Sequence, residues 1–262
     1  MRHAAVAGVL LIAMARLLVA QDSTARPAFE VASIKQSDSL DRGGRSGWEP
    51  GGRFRGVNVP GAMLVQMAYG TPSRTLLTYQ LAGVPGWLAS ARYDITGKVR
   101  TDLASTDPYE LGAKGPLFLR SLLEERFKLK VHHELRDLQR YRLVRARPDG
   151  ALGPRLRPST CASAPAFCKL EYLTGHLIFE GVPIARFADD LSALAAISRV
   201  VVNDTRLTGA FDFDLEWSPD QPASDKPSIF TALQEQLGLK LEAERGPVDV
   251  VVIDSVERPA ED

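Results

Sequence analysis

Gly52-Arg-Phe-Arg-Gly-Val-Asn-Val-Pro60 and Gly175-His-Leu-Ile-Phe-Glu-Gly-Val-Pro183 carry one pattern twice: a glycine, a short strand-like run, then valine-proline at the mouth of a helical stretch. Internal similarity of this kind sets the architecture. Tyr93-Asp-Ile95 parallels Phe211-Asp-Phe213, and Leu119 to Val131 aligns without a gap to Ile229 to Leu241. The core of that last match is Phe127-Lys-Leu-Lys-Val131 against Leu237-Gly-Leu-Lys-Leu241. The offset shrinks from 123 (175 − 52) through 118 (211 − 93) to 110 (229 − 119), so the second copy is the more compact.

The second copy is the easier to read. Leu177 to Phe179 is a short strand, and Pro183 suits the first turn of a helix. Ile184, Phe187, Leu191 and Leu194 share one helical face. Arg199 to Val202 is a strand. Phe211, Phe213, Leu215 and Trp217 alternate with acids, as in a half-buried strand. Ile229, Leu233 and Leu237 line a second helix that Gly238 stops. Leu239 to Glu244 and Val248 to Asp254 are expected as the closing strand pair.

The first copy repeats this with strand Phe54 to Val57, helix Gly61 to Ala68, strands Tyr79 to Ala82 and Tyr93 to Val99, helix Pro116 to Phe127, and strands Lys128 to Glu134 and Gln139 to Arg145. A strand over Phe29 to Lys35 precedes it. The fold expected is α+β: two tandem β-α-β-β-α-β-β repeats, each a sheet with two helices on one face. The first spans 27–147, a linker 148–172, and the second 173–257.

Composition fits a globular chain. Of 262 residues, 45% are hydrophobic and 24% charged, and 32 basic residues balance 32 acidic ones. Residues 1–20 read as a signal peptide, with Arg2 and His3 before an apolar run to Ala20 and cleavage expected after Ala20. Removing Arg2 and Arg16 leaves 30 basic against 32 acidic, a net of −2, which argues against a nucleic-acid partner. No later segment is long enough to cross a membrane as a helix, so the cleaved chain is not expected to be integral to one. A periplasmic or secreted location follows. There Cys161 and Cys168 are expected as a disulfide pinning the linker.

The matching stretches Phe29-Glu-Val-Ala-Ser-Ile-Lys35, Gly83-Val-Pro-Gly-Trp-Leu88, Leu207-Thr-Gly-Ala-Phe-Asp-Phe213 and Leu233-Gln-Glu-Gln-Leu-Gly-Leu-Lys-Leu241 together resemble an uncharacterised secreted-protein family, heavily duplicated in soil bacteria. Some relatives look fused to a membrane sensor metallopeptidase. Each repeat also remotely resembles the short N-terminal domain of secretins and TonB-dependent receptors, which implies a periplasmic docking module.

His132 and His133 are neighbours on a strand and point to opposite faces, so they cannot share one ion. His176 stands alone near a turn. Asp189 and Asp190 lie on the polar side of a helix, and Asp212, Asp214 and Glu216 on a solvated strand face. No nucleophile elbow, phosphate loop, metal set or cofactor motif is present, so no catalytic residue, metal or cofactor is expected. Trp48, in the glycine-rich stretch Gly43 to Gly52, reads as an exposed loop tryptophan and the best candidate for partner contact. The function expected is an exported binding or docking module for an envelope protein or a cell-wall ligand. The alternatives are an envelope hydrolase using His132, His176 or the acidic strand, and a soluble regulatory partner of a membrane sensor.

Overall fold

The computed structural model describes residues 26–39, 43–100, 108–161, 167–219 and 225–260. The expected signal peptide therefore lies outside the described residues. The chain runs β1 (Val31–Gln36), β2 (Arg45–Glu49), β3 (Arg53–Pro60), α1 (Gly61–Tyr69), a 3-10 turn (Thr78–Gln80), β4 (Leu81–Ala82), α2 (Gly86–Ser90), β5 (Arg92–Lys98), α3 (Pro108–Arg126) and β6 (Lys130–Arg145). It continues with β7 (Leu156–Pro158), β8 (Lys169–Leu173), β9 (His176–Pro183), α4 (Ile184–Ala193), β10 (Val201–Asn203), β11 (Ala210–Glu216) and α5 (Ile229–Ala232). A π turn over Leu233–Leu237 then leads into β12 (Leu239–Ser255).

The fold is α+β, as expected. Among the described residues the strands form three four-stranded sheets, ordered β1-β5-β3-β2, β7-β11-β9-β8 and β10-β6-β12-β4. In the first two sheets each strand is antiparallel to its neighbours, and the two orders correspond strand for strand. The corresponding strands carry the same irregularity. On β3 the register slips between Gly56 and Val59, and the bulge holds Asn58 at φ 54°. On β9 it slips opposite Phe211 and Phe213, and the bulge holds Gly181 at φ 78°. In each bulge one aspartate on the facing strand accepts the left-handed residue's N–H: Asp94 Oδ1 from Asn58 at 2.7 Å, and Asp212 Oδ1 from Gly181 at 3.1 Å. A bulge leaves an amide outside the ladder, and these carboxylates give it a partner.

Apolar faces explain the layers. Phe54, Ile34 and Ile95 on one side of the first sheet pack under Leu64, Val65 and Ala68 of α1 and Leu119, Leu122 and Leu123 of α3. Phe179, Phe211, Phe213 and Leu215 of the β7-β11-β9-β8 sheet pack with Phe187 and Leu191 of α4 and Ile229 and Leu233 beyond.

The third sheet departs from the expected pairing. Each closing strand pair is a single long strand, β6 with 16 residues and β12 with 17, and the two lie antiparallel along nearly their whole length. The Gly246-Pro247 step, a turn signal in sequence, runs straight. Continuous pairing across two strands outweighs one local turn preference. Pro247 is tolerated because β4 and β10 reach only the ribbon's ends, Val251–Val252 and Tyr141–Leu143, so nothing needs the missing N–H at its middle. The Arg140 guanidinium lies over Gly246, donating to Glu244 Oε1 at 2.8 Å and to the Pro247 carbonyl at 2.9 Å.

Along this ribbon β4, from the first half, pairs with β12, and β10, from the second, pairs with β6. Leu143 of β6 joins the second core and Ile253 of β12 the first, so each half completes the other. Asp137 faces Pro247, and 247 − 137 = 110, the offset seen between the matching helix-to-strand segments.

Two further boundaries differ from the expectation. The expected linker 148–172 contains β7 and β8. The Cys161–Cys168 disulfide is present and closes the loop between those two strands. Helix α3 begins at Pro108 and passes through Pro116, where the proline was expected as a start. Leu111 anchors the extra turns, buried with Val99 and Phe118.

Candidate functional site

Trp48 lies on β2, not in a loop, and is half-buried. Its glycine-rich surroundings hide a strand because Trp48 is the single apolar side chain on the helix side of β2, beside Ser46. Its indole sits among Phe29, Phe54 and Phe118, with ring centroids 6.0, 5.5 and 5.8 Å away. A groove of about 230 Å³ opens beside it. Trp48, Phe54, Met67 and Leu119 give it an apolar wall, and the segment Thr71 to Thr75 a polar one.

The third wall is α3, at Gly112, Gly115 and Pro116. Gly115 lets the helix approach the indole, since a Cβ there would fall 2.7 Å from Trp48 Nε1. A Cβ at Gly112 would meet nothing within 4 Å, so that glycine leaves open space. Pro116 has no N–H to donate to the Gly112 carbonyl, so the regular helical ladder is interrupted where the helix lines the groove. Arg74 closes one end. Its side chain is 6% exposed and donates to the Thr75 carbonyl and to Gln80 Oε1, both at 3.0 Å. Its Nε lies 3.4 Å from Asp189 but makes no hydrogen bond. The groove therefore presents an apolar slot with Arg74, held beside Asp189, at one end. Sequence reading missed Gly112, Gly115, Pro116 and Arg74. The spacing Gly-x-x-Gly-Pro inside a helical pattern was the available signal, since it puts the least bulk on one helix face.

The histidines do not converge. His132 Nδ1 meets Asp254 at 2.7 Å and its Nε2 meets Glu134 at 2.9 Å, on one face of the ribbon. Those two carboxylates raise the His132 pKa, the Glu134 hydrogen bond first. His133 points the other way, to Asp249 at 2.9 Å. His176 lies on another sheet, with Nε2 2.8 Å from Asp214. No titratable partner is shared between His132 and His176. Asp212 is committed to its bulge. Partial burial pushes its pKa up, but hydrogen bonds from Ser159, the Gly181 N–H and Arg157 outweigh this and hold it below the usual carboxylate range. Asp190 is buried with Arg186 Nε at 3.0 Å and the Tyr172 hydroxyl at 3.1 Å, and its pKa is raised by that burial. Among the described residues no three His, Cys, Asp or Glu side chains are grouped to hold a metal, and no helix is long and apolar enough to cross a membrane.

Fold and site together define a class: an α+β protein of two helix-covered antiparallel sheets joined through one long ribbon, with an apolar groove at a sheet edge. The chain belongs to the family described as Protein of unknown function (DUF3738), which matches residues 62–256. No curated protein and no solved structure matches it.

Proposed function

We propose that this is an exported binding module of the cell envelope, built from one duplicated α+β unit, and that the groove beside Trp48 is its contact site for a protein or cell-wall ligand. The observation that carries the reading is the groove itself. It is apolar, open, and bordered by a strand whose outer edge no described strand covers. Partly exposed aromatic groups in such a position are the usual anchors of an interface.

Duplication is supported by the matching strand orders and the aspartate-capped bulges. Paired left-handed residues support it too: Gly52 with Gly175, Asn58 with Gly181, and Lys128 with Gly238. Export is supported by the apolar leader ending at Ala20 and by the disulfide, which suits an oxidising compartment.

The test is cross-linking capture from the envelope fraction of the host, using residues 21–262. Trp48→Ala is a poor sole control, because removing a packed tryptophan costs about 3 kcal/mol or more. Gly112→Leu is cleaner. It fills the open space beside the groove, and it exchanges a helix-interior glycine for a good helix former. One dominant partner caught by the native chain and lost with Gly112→Leu is the expected result. Equal capture by the filled variant would remove the groove from the reading.

A further inference from the structure

The sheet face that carries β2 is strongly asymmetric in charge. Register places Arg45, Gly47 and Glu49 of β2 beside Val57, Arg55 and Arg53 of β3, on the side away from the helices. Arg53 in turn faces Lys98 of β5, and Lys35 of β1 faces Asp94. Arg45, Arg53, Arg55, Lys98 and Lys35 therefore share this face with two carboxylates, Glu49 and Asp94, and a further cation, Arg92 at the start of β5, donates to Asn58 Oδ1 at 2.9 Å. Asp94 is already accepting the Asn58 N–H. Glu49 lies 4.0 Å from both Arg53 and Arg55, the outer limit of an ion pair, and one carboxylate cannot neutralise two guanidiniums. Those two arginines are 55% and 60% exposed. The corresponding face of the β7-β11-β9-β8 sheet has no such surplus, since Arg155 and Arg157 there are paired with Asp214, Glu216 and Asp212.

The basic face meets the groove at β2. A shallow depression of about 280 Å³ on that side is bounded by Arg45, Glu49, Arg55 and Val57, and it shares Gly47 and Trp48 with the groove on the other. β2 is the end strand of its sheet, so one row of its backbone amides and carbonyls faces outward with no described strand against it. An end strand with a slot on one side and positive charge on the other suits one kind of occupant. Successive residues of an added strand point alternately to the two faces. One set of side chains would fall toward the Trp48 slot, and the alternate set over Arg45, Arg53 and Arg55.

We propose that β2 binds an extended acidic peptide segment of an envelope partner. The segment adds as a fifth strand, with apolar side chains turned to the Trp48 groove and carboxylates turned to the arginines. Main-chain pairing supplies affinity and the two faces supply selectivity, as in strand-addition recognition generally. The proposal rests on the reading of the groove as a contact site and names the partner's chemistry.

Its test uses residues 21–262 and a displayed random decapeptide library. Enriched peptides are expected to alternate apolar with acidic residues. A synthetic enriched peptide should lose about tenfold or more in affinity against Arg45→Glu/Arg55→Glu, and should weaken with added salt. N-methylation of alternate peptide amides should abolish binding. Gly112→Leu should weaken it while the charge-reversed chain keeps its native unfolding midpoint. Enrichment of neutral or basic peptides, no enrichment, or indifference to N-methylation would overturn the proposal. A wall fragment or folded partner that Gly112→Leu loses and Arg45→Glu/Arg55→Glu retains would overturn it too, and would leave the groove reading standing. Binding that Gly112→Leu leaves unchanged for every ligand would sink both.

Discussion

Lys128 and Gly238 hold the same backbone turn at different cost. Both follow a helix and open a long strand, with φ 49° at Lys128 and 67° at Gly238. The left-handed region costs a side chain about 1–2 kcal/mol, and glycine almost nothing. Lys128→Gly relieves that strain and loses some of the gain to a more flexible unfolded chain. Stability should rise by up to about 1 kcal/mol, read as a higher urea midpoint. Gly238→Ala should lose well over about 1 kcal/mol by the same measure, because its Cβ would also fall 2.6 Å from the Gly153 nitrogen. His132 is the other residue with a definite expectation. Held between Glu134 and Asp254, its pKa is raised above the ordinary 6.5. A raised histidine favours the folded state fully below its unfolded pKa, and that contribution fades as pH climbs through the folded value. An NMR titration of the ring should therefore show a midpoint above 6.5, moving down in Asp254→Asn.

At the level of elements, most of what forms was legible from period alone. Phe211, Phe213 and Leu215 alternate and face the core, and Ile184, Phe187 and Leu191 repeat at helical spacing and do likewise. The Tyr93-Asp-Ile95 and Phe211-Asp-Phe213 matches pointed to a shared aspartate, but its task was hidden, since the amide it caps lies on a facing strand. That task gives a prediction. Asp94→Ala or Asp212→Ala leaves a bulge amide without its acceptor, which should cost about 1–3 kcal/mol each in chemical denaturation. For Asp212 the sign with pH is fixed. Its folded pKa is depressed, so its contribution is present above the unfolded carboxylate range and lost as pH falls through the folded value. The native chain should thus lose stability on acidification more steeply than Asp212→Ala. Trp48 was placed wrongly for a related reason. Strand β2 has a single inward apolar residue, so no alternation marks it, and its pairing with β3 is what makes it a strand.

Across the whole molecule, the exchange of long strands makes the two halves one cooperative object. Local patterns could locate the strands of the ribbon, but not that β6 and β12 pair with each other over their full length. Leu143 and Leu239 enter the second core, and Ile253 the first, from strands that continue into the opposite half. Further contacts cross as well. The Tyr79 hydroxyl accepts the Val200 N–H at 2.8 Å, Gln80 Nε2 donates to the Asp249 carbonyl at 3.0 Å, and the buried Arg74 faces Asp189. Melting either half alone would strip the other of a sheet strand and of buried apolar side chains, each worth about 1.5–3 kcal/mol. Neither half then has an independent folded state to populate. Two variants test this by fluorescence, one keeping only Trp87, at the first core, and the other only Trp217, in the second. Their urea transitions should share one midpoint with the far-ultraviolet circular dichroism of the same sample. If the Trp217 signal were lost at a clearly different urea concentration from the Trp87 signal, with matching steps in the circular dichroism, the ribbon would be a tether between two domains instead of a shared element of both.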